Sequence, residues 1–191
     1  MDMRAVAVLS VALFAAAGPS GVSRTDYLNA KKKFQAIDKQ KMKPGTRVAI
    51  TATELNAYVQ AELPTVAPNG IRSPQVELQG DNTATGRAMI DFIKLRSAGG
   101  KSPGWLFRKL FSGEREVAVT THISSGGGKA TVDLKKVEVS GIPIEGAALD
   151  FLVENYLIPN YPNAKIGRPF ALHKRVDRIE VTPAAAYVVT R

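Results

Sequence analysis

The sequence predicts an α+β fold: a long, curved antiparallel sheet, one strongly apolar helix, and two to three further helices. Three observations carry this. Apolar residues recur at spacings of three and four in separate stretches, as on the buried face of a helix. Between those stretches, apolar and polar residues alternate over strand-length runs. In the longest strand pair the alternation slips phase once, which calls for a bulge and so for a bent, strongly twisted sheet. The order helix, antiparallel strands, apolar helix, strands is that of the α+β class.

Each element has its own signal. Residues 25–43 place Tyr27, Ala30, Phe34 and Ile37 on one face among many lysines, a basic amphipathic helix ended by Pro44-Gly45. A short strand, Arg47 to Ile50, follows. Thr51 and Glu54 have the spacing of a capping box. The helix it opens carries Leu55, Tyr58, Val59 and Leu63 on one face and is expected to stop at Pro64. Val76 and Leu78 alternate with polar neighbours over 75–79, and Gly80-Asp81-Asn82 turns the chain. A second strand over 85–95 places Ala88, Ile90 and Phe92 on one face.

The next pair is longer. Val117, Val119, Thr121 and Ile123 share a face, Gly126-Gly127-Gly128 turns the chain, and Val132 and Leu134 resume. Val137 and Val139 then take the opposite parity, so a bulge is expected near Lys135-Lys136. Ala148, Leu149, Leu152, Val153, Tyr156 and Leu157 form a wide stripe on a helix over about 145–157, expected to be largely buried and ended by Pro159 and Pro162. Strands over 174–182 and 186–190 close the chain.

The 191 residues carry a net charge of +9 and no cysteine, which rules out disulfides, thiolate metal sites, a cysteine nucleophile and a lipidated cysteine. The charge is concentrated. Residues 24–47 hold a surplus of +6, residues 94–115 a surplus of +5, and the remainder sums to −2. Residues 1–17 read as a secretory signal peptide: Arg4 gives a positive start, Ala5 to Ala17 run apolar over 13 residues, and Ala15-Ala16-Ala17 is a small-x-small cleavage pattern. An uncleaved anchor and a buried helix are the rival readings. The organisation expected is therefore a signal peptide at 1–17, a basic N-terminal helix region at 18–45, and a single α+β domain at 46–191. That domain is interrupted by a basic aromatic insertion at 94–113.

Within the insertion, Trp105, Phe107, Arg108, Lys109 and Phe111 set aromatic rings beside basic groups. That combination suits an anionic lipid surface, where rings insert and each basic residue adds about 1 kcal/mol. Docking of the same rings onto the sheet is the competing reading.

Catalytic chemistry has little to stand on. His122 and His173 lack a partner at metal-ligand spacing, and no cofactor or metal is expected. Gly126-Gly127-Gly128-Lys129 lacks the earlier Gly and following Ser/Thr of a phosphate loop. Asp150 and Glu154, four apart, fit the polar edge of the apolar helix. No catalytic residue is assigned.

Three stretches resemble small exported or membrane-anchored bacterial proteins of the tubular lipid-binding (TULIP-like) type, over about residues 45–191. They are Val48 to Tyr58, the run Gly141-Ile142-Pro143-Ile144 into the helix around Leu149 to Leu157, and Arg168-Pro169-Phe170-Ala171-Leu172 followed by Val176 to Thr182. The basic aromatic insertion has no counterpart in that pattern. The resemblance implies a curved sheet wrapped around the apolar helix, with a groove for acyl chains. The groove residues it implies are Leu55, Tyr58, Val59, Leu149, Leu152, Val153 and Tyr156.

The expectation is thus an exported, periplasmic or envelope protein that binds a lipid or other apolar small molecule. Its basic aromatic tip would meet an anionic membrane surface or an envelope protein. A structural or adaptor subunit with a closed core is the alternative, and an exported hydrolase ranks below both. Nucleic acid is not expected as a partner, because the basic segments carry no recognisable reading motif.

Overall fold

The computed structural model describes residues 23–39, 42–67, 69–95, 112–161 and 165–191. The signal-peptide pattern at 1–17 and the insertion residues Trp105, Phe107, Arg108, Lys109 and Phe111 lie outside these. The first described helix, α1 (Arg24–Lys39), buries Ala30 and Ile37. Strand β1 (Arg47–Thr51) runs directly into α2 (Ala52–Val66), and the capping box forms as expected. The Glu54 amide donates to Thr51 Oγ1 at 3.2 Å, and the Thr51 amide donates to Glu54 Oε2 at 2.9 Å. The helix does not stop at Pro64. It runs on to Val66, closed by a 2.8 Å bond from the Ala67 amide to the Leu63 carbonyl. In the last turn Pro64 removes one amide donor without breaking the ladder beyond it.

The larger sheet has the order β2-β3-β4-β5-β6, all antiparallel, and is open. Its strands are β2 (Ile71–Gly80), β3 (Thr83–Asp91), β4 (Glu114–Gly126), β5 (Lys129–Val139) and β6 (Ile142–Pro143). A short β7 (Phe170–Ala171) also pairs with β5. β2 begins earlier than the alternation indicated, because its register shifts between Arg72 and Gln75, around Pro74, which has no amide to donate. β3 ends at Asp91, and the expected strand to 95 is instead a short helix, α3 (Phe92–Leu95). The Asp91 carboxylate accepts from the amides of Ile93 and Lys94, both at 3.1 Å, and so turns the chain into a helix start.

The bulge falls where the phase slip put it. Thr120 pairs with Lys136 and Thr121 with Leu134, which leaves Lys135 unpaired. Val137 and Val139 thereby oppose Val119 and Val117, while Val132 opposes Ile123. One extra residue lets both apolar runs of β5 face the same side.

A smaller sheet, β1-β9-β8, is formed with β8 (Val176–Val181) and β9 (Ala185–Thr190). The outer edge of β8 lies against turns of the larger sheet, where side chains take the place of a neighbouring strand. Ser125 Oγ donates to the Ile179 carbonyl at 2.7 Å and accepts from the Ile179 amide at 2.8 Å. Asn82 Oδ1 accepts from the Val181 amide at 2.9 Å, and the Gly128 amide donates to the Asp177 carbonyl at 2.8 Å. An edge that would otherwise invite pairing is thus occupied.

Two apolar clusters result. One joins α1, α2 and the smaller sheet to the far ends of β2, β4 and β5, around Ile37, Leu55, Val59, Leu78, Ile123 and Val188. The other lies beneath α4 (Gly146–Leu152), around Ala88, Ile90, Val117, Val119, Val137 and Val139. The α4 helix continues as a π-helical segment, Val153–Leu157, and a last turn, Ile158–Asn160. The wider turn sits just before Pro159, whose ring has no place in a regular ladder. This helix is less buried than its stripe suggested: Leu149, Leu152, Val153 and Leu157 are half-buried, and of the named stripe Tyr156 alone is fully buried. Among the described residues no helix is long and apolar enough to cross a membrane.

Candidate functional site

The half-buried stripe has a cause. Between α4 and the sheet the two surfaces do not close on each other, and a cavity of about 70 Å³ remains. That is space for several water molecules, each needing ~10–15 Å³. The sheet supplies Ile71, Ile90, Val117, Val119, Leu134 and Val137, the last two from either side of the Lys135 bulge, which lets both face the cavity. The helix and its π segment supply Leu149, Leu152, Val153, Tyr156 and Leu157. Phe92 and Leu95 of α3, with Tyr161 and Ile166, complete the wall.

Among the described residues the lining side chains are apolar or phenolic, and none is charged. Tyr156 is held by aromatic edges, with its ring 5.1 Å from Phe92 and 6.1 Å from Phe151. Tyr161 contributes a hydroxyl that is buried without a hydrogen-bond partner among the described residues. Burial pushes its phenol above the ordinary value of 10. Charge stays at the sheet end, where Lys94 pairs with Asp91 at 3.1 Å and Arg72 with Glu114. The Lys94 hydrogen bond, helped by the Lys94 and Ile93 amides, holds the Asp91 carboxyl below its ordinary range.

The seven groove residues suggested by the sequence divide between two places. Leu149, Leu152, Val153 and Tyr156 line the cavity. Leu55 and Val59 belong to the other cluster, under the smaller sheet, and Tyr58 faces α1, its ring 4.5 Å from Phe34 and 6.2 Å from Tyr27. The structure does not bring these two sets into one groove. Phe92, Leu95, Tyr161 and Ile166 were not singled out as site residues by the sequence. Asp91 directly before Phe92, a helix-capping type at the end of an alternating run, was the signal available for α3.

The remaining chemistry is dispersed. His122 lies on the opposite face of the sheet, its Nδ1 3.4 Å from Thr83 Oγ1. His173 Nε2 lies 3.2 Å from the Asp38 carboxylate and ties α1 to the segment before β8. Asp150 and Glu154 are exposed. The glycine run is the β4–β5 hairpin turn, with φ of +58° at Gly127 and +76° at Gly128. The basic face of α1 is partly used internally: Lys33 donates to both oxygens of Glu54 at 2.7 and 2.6 Å, and Lys31 pairs with Glu62 at 3.1 Å. Among the described residues no group of three His, Asp or Glu side chains could hold a metal ion. No protein-family model, curated protein or solved structure matches this chain.

Proposed function

We propose that this is an exported, envelope-located protein that binds the hydrocarbon part of a lipid or another apolar molecule between α4 and the larger sheet. The observation that carries the reading is a cavity walled by apolar and phenolic side chains beneath a helix whose apolar stripe is half-buried. Water gains little in such a space, whereas an alkyl chain there would complete the burial of Leu149, Leu152 and Val153. Each methylene transferred from water contributes about 0.8 kcal/mol. The order of elements, with a curved antiparallel sheet and an apolar helix on one face, supports the TULIP-like resemblance as part of this proposal.

The leader pattern at 1–17 supports export, and the stretch from Trp105 to Phe111 supports docking to an anionic membrane or an envelope partner. Ile93, on the helix that leads into that stretch, is 71% exposed. The modest size of the cavity is the observation in favour of the second reading, a closed-core adaptor subunit. Native mass spectrometry of protein purified from its own envelope separates the two, with flotation on vesicles of phosphatidylglycerol as the second measurement. The ligand reading expects a bound lipid mass and co-flotation. Protein free of lipid that also fails to float would overturn it in favour of the adaptor.

A further inference from the structure

The fold divides the basic residues of α1 into two sets. Lys31 and Lys33 lie on its inner flanks, where Glu62 and Glu54 of α2 neutralise them. Arg24, Lys32 and Lys39 are exposed, and none of them pairs with a carboxylate among the described residues. With Leu28 they follow one another at spacings of four, four and seven, which sets all four on one stripe of the helix. Leu28, in the middle of that stripe, is 51% exposed. The two carboxylates of α1 lie off it: Asp26 and Asp38 are half-buried, and Asp38 sits 3.2 Å from His173 Nε2. The outer face of α1 is thus a row of cations around an exposed leucine, with no acidic residue of the helix among them.

Two properties of the stripe select its partner. Its charge is complementary to an anionic surface. A soluble polyanion would use that charge but gain nothing from the leucine. At the headgroup boundary of a bilayer the leucine leaves water, while the basic side chains beside it stay with the phosphates. The inner face of α1 is already buried through Ala30 and Ile37, so the contact is shallow and mainly electrostatic. We propose that the outer face of α1 is a docking surface for an anionic lipid bilayer, with Arg24, Lys32 and Lys39 on the headgroups and Leu28 at the acyl boundary. The choice of partner rests on the reading of the protein as envelope-located and does not require the cavity to be filled. It is a second contact, separate from the stretch between Trp105 and Phe111.

The test is co-flotation of the full chain, at low salt, with vesicles of phosphatidylcholine and phosphatidylglycerol in equal parts. Lys32→Gln/Lys39→Gln is expected to weaken binding about 25-fold, the worth of two basic residues at an anionic surface, and Lys32→Arg/Lys39→Arg to restore it. Lys129→Gln/Lys135→Gln removes the same charge from exposed positions on β5 and is expected to bind as the parent does. Leu28→Asn is expected to weaken binding about three-fold. All these positions are exposed, so each variant should keep the parental melting midpoint. Equal losses for the α1 and β5 pairs, or parental binding by Lys32→Gln/Lys39→Gln, overturn the α1 face alone. Parental binding by Leu28→Asn overturns the lipid surface in favour of a soluble polyanion. Failure of the unaltered protein to float overturns this face and the membrane docking of the Trp105 stretch together.

Discussion

Deleting Lys135 should cost far more than replacing it. The residue is exposed, so Lys135→Ala removes almost nothing and should stay within about 0.5 kcal/mol of the parent. Deletion removes the residue that restores strand parity. Val137 and Val139, 6% and 0% exposed, would turn to the polar face of the sheet, and Lys136 and Glu138 would turn toward the cavity. Re-exposing two buried valines costs about 3 kcal/mol at the lower end of the range for such side chains. Drawing two charged groups inward adds to that. The sum is a large part of the ~5–15 kcal/mol that holds a typical domain together. Urea unfolding followed by circular dichroism should show the midpoint of the deletion falling by about 1–2 M, with that of Lys135→Ala unchanged. Equal midpoints for the two variants would refute the account of the bulge.

Three further outcomes follow from geometry. Glu54 is 6% exposed; burial alone would raise its carboxyl, but hydrogen bonds from Lys33 and from the Thr51 amide outweigh it and hold the group below its ordinary 4.5. A depressed folded-state value means stability that is present above about pH 4.5 and lost as the pH falls through and below it. Glu54→Gln should therefore cost about 1–3 kcal/mol at neutral pH, with the two denaturation curves converging in acid. Ser125→Ala should cost about 2 kcal/mol, because it leaves both the amide and the carbonyl of Ile179 without their partner, whereas exposed Ser124→Ala should be neutral in the same melts. Gly127→Ala and Gly128→Ala should each destabilise by about 1 kcal/mol in thermal melts, because both sit at positive φ, and the Cβ added at Gly128 meets only the movable guanidinium end of Arg191.

What the sequence alone determined about this protein is local. The capping box at Thr51 and Glu54, the glycine hairpin, the alternation in β3, β4 and β5, and the bulge at Lys135 are all written in residues a few positions apart. The interactions that produce them close over the same short range, so periodicity and spacing suffice to find them. Where a local rule misled, another local interaction had prevailed: the Asp91 carboxylate turned Phe92–Leu95 into a helix, and the Ala67 amide carried α2 past Pro64.

The tertiary structure decided which apolar faces meet. Leu55 and Val59 carry the same kind of helical stripe as Leu149 and Leu152, and no local pattern says that one docks beneath the smaller sheet while the other roofs a cavity. That depends on where the strands bend, and on contacts such as Ser125 to Ile179 and Asn82 to Val181, which join residues 54 and 99 positions apart. Tyr161 illustrates the same limit. In the sequence it is a tyrosine between Asn160 and Pro162; only the folded chain removes its hydroxyl from water, with no hydrogen-bond partner among the described residues. Hydrophobic burial is non-directional, so a stripe declares that a face will be covered, and the geometry of the whole chain selects what covers it.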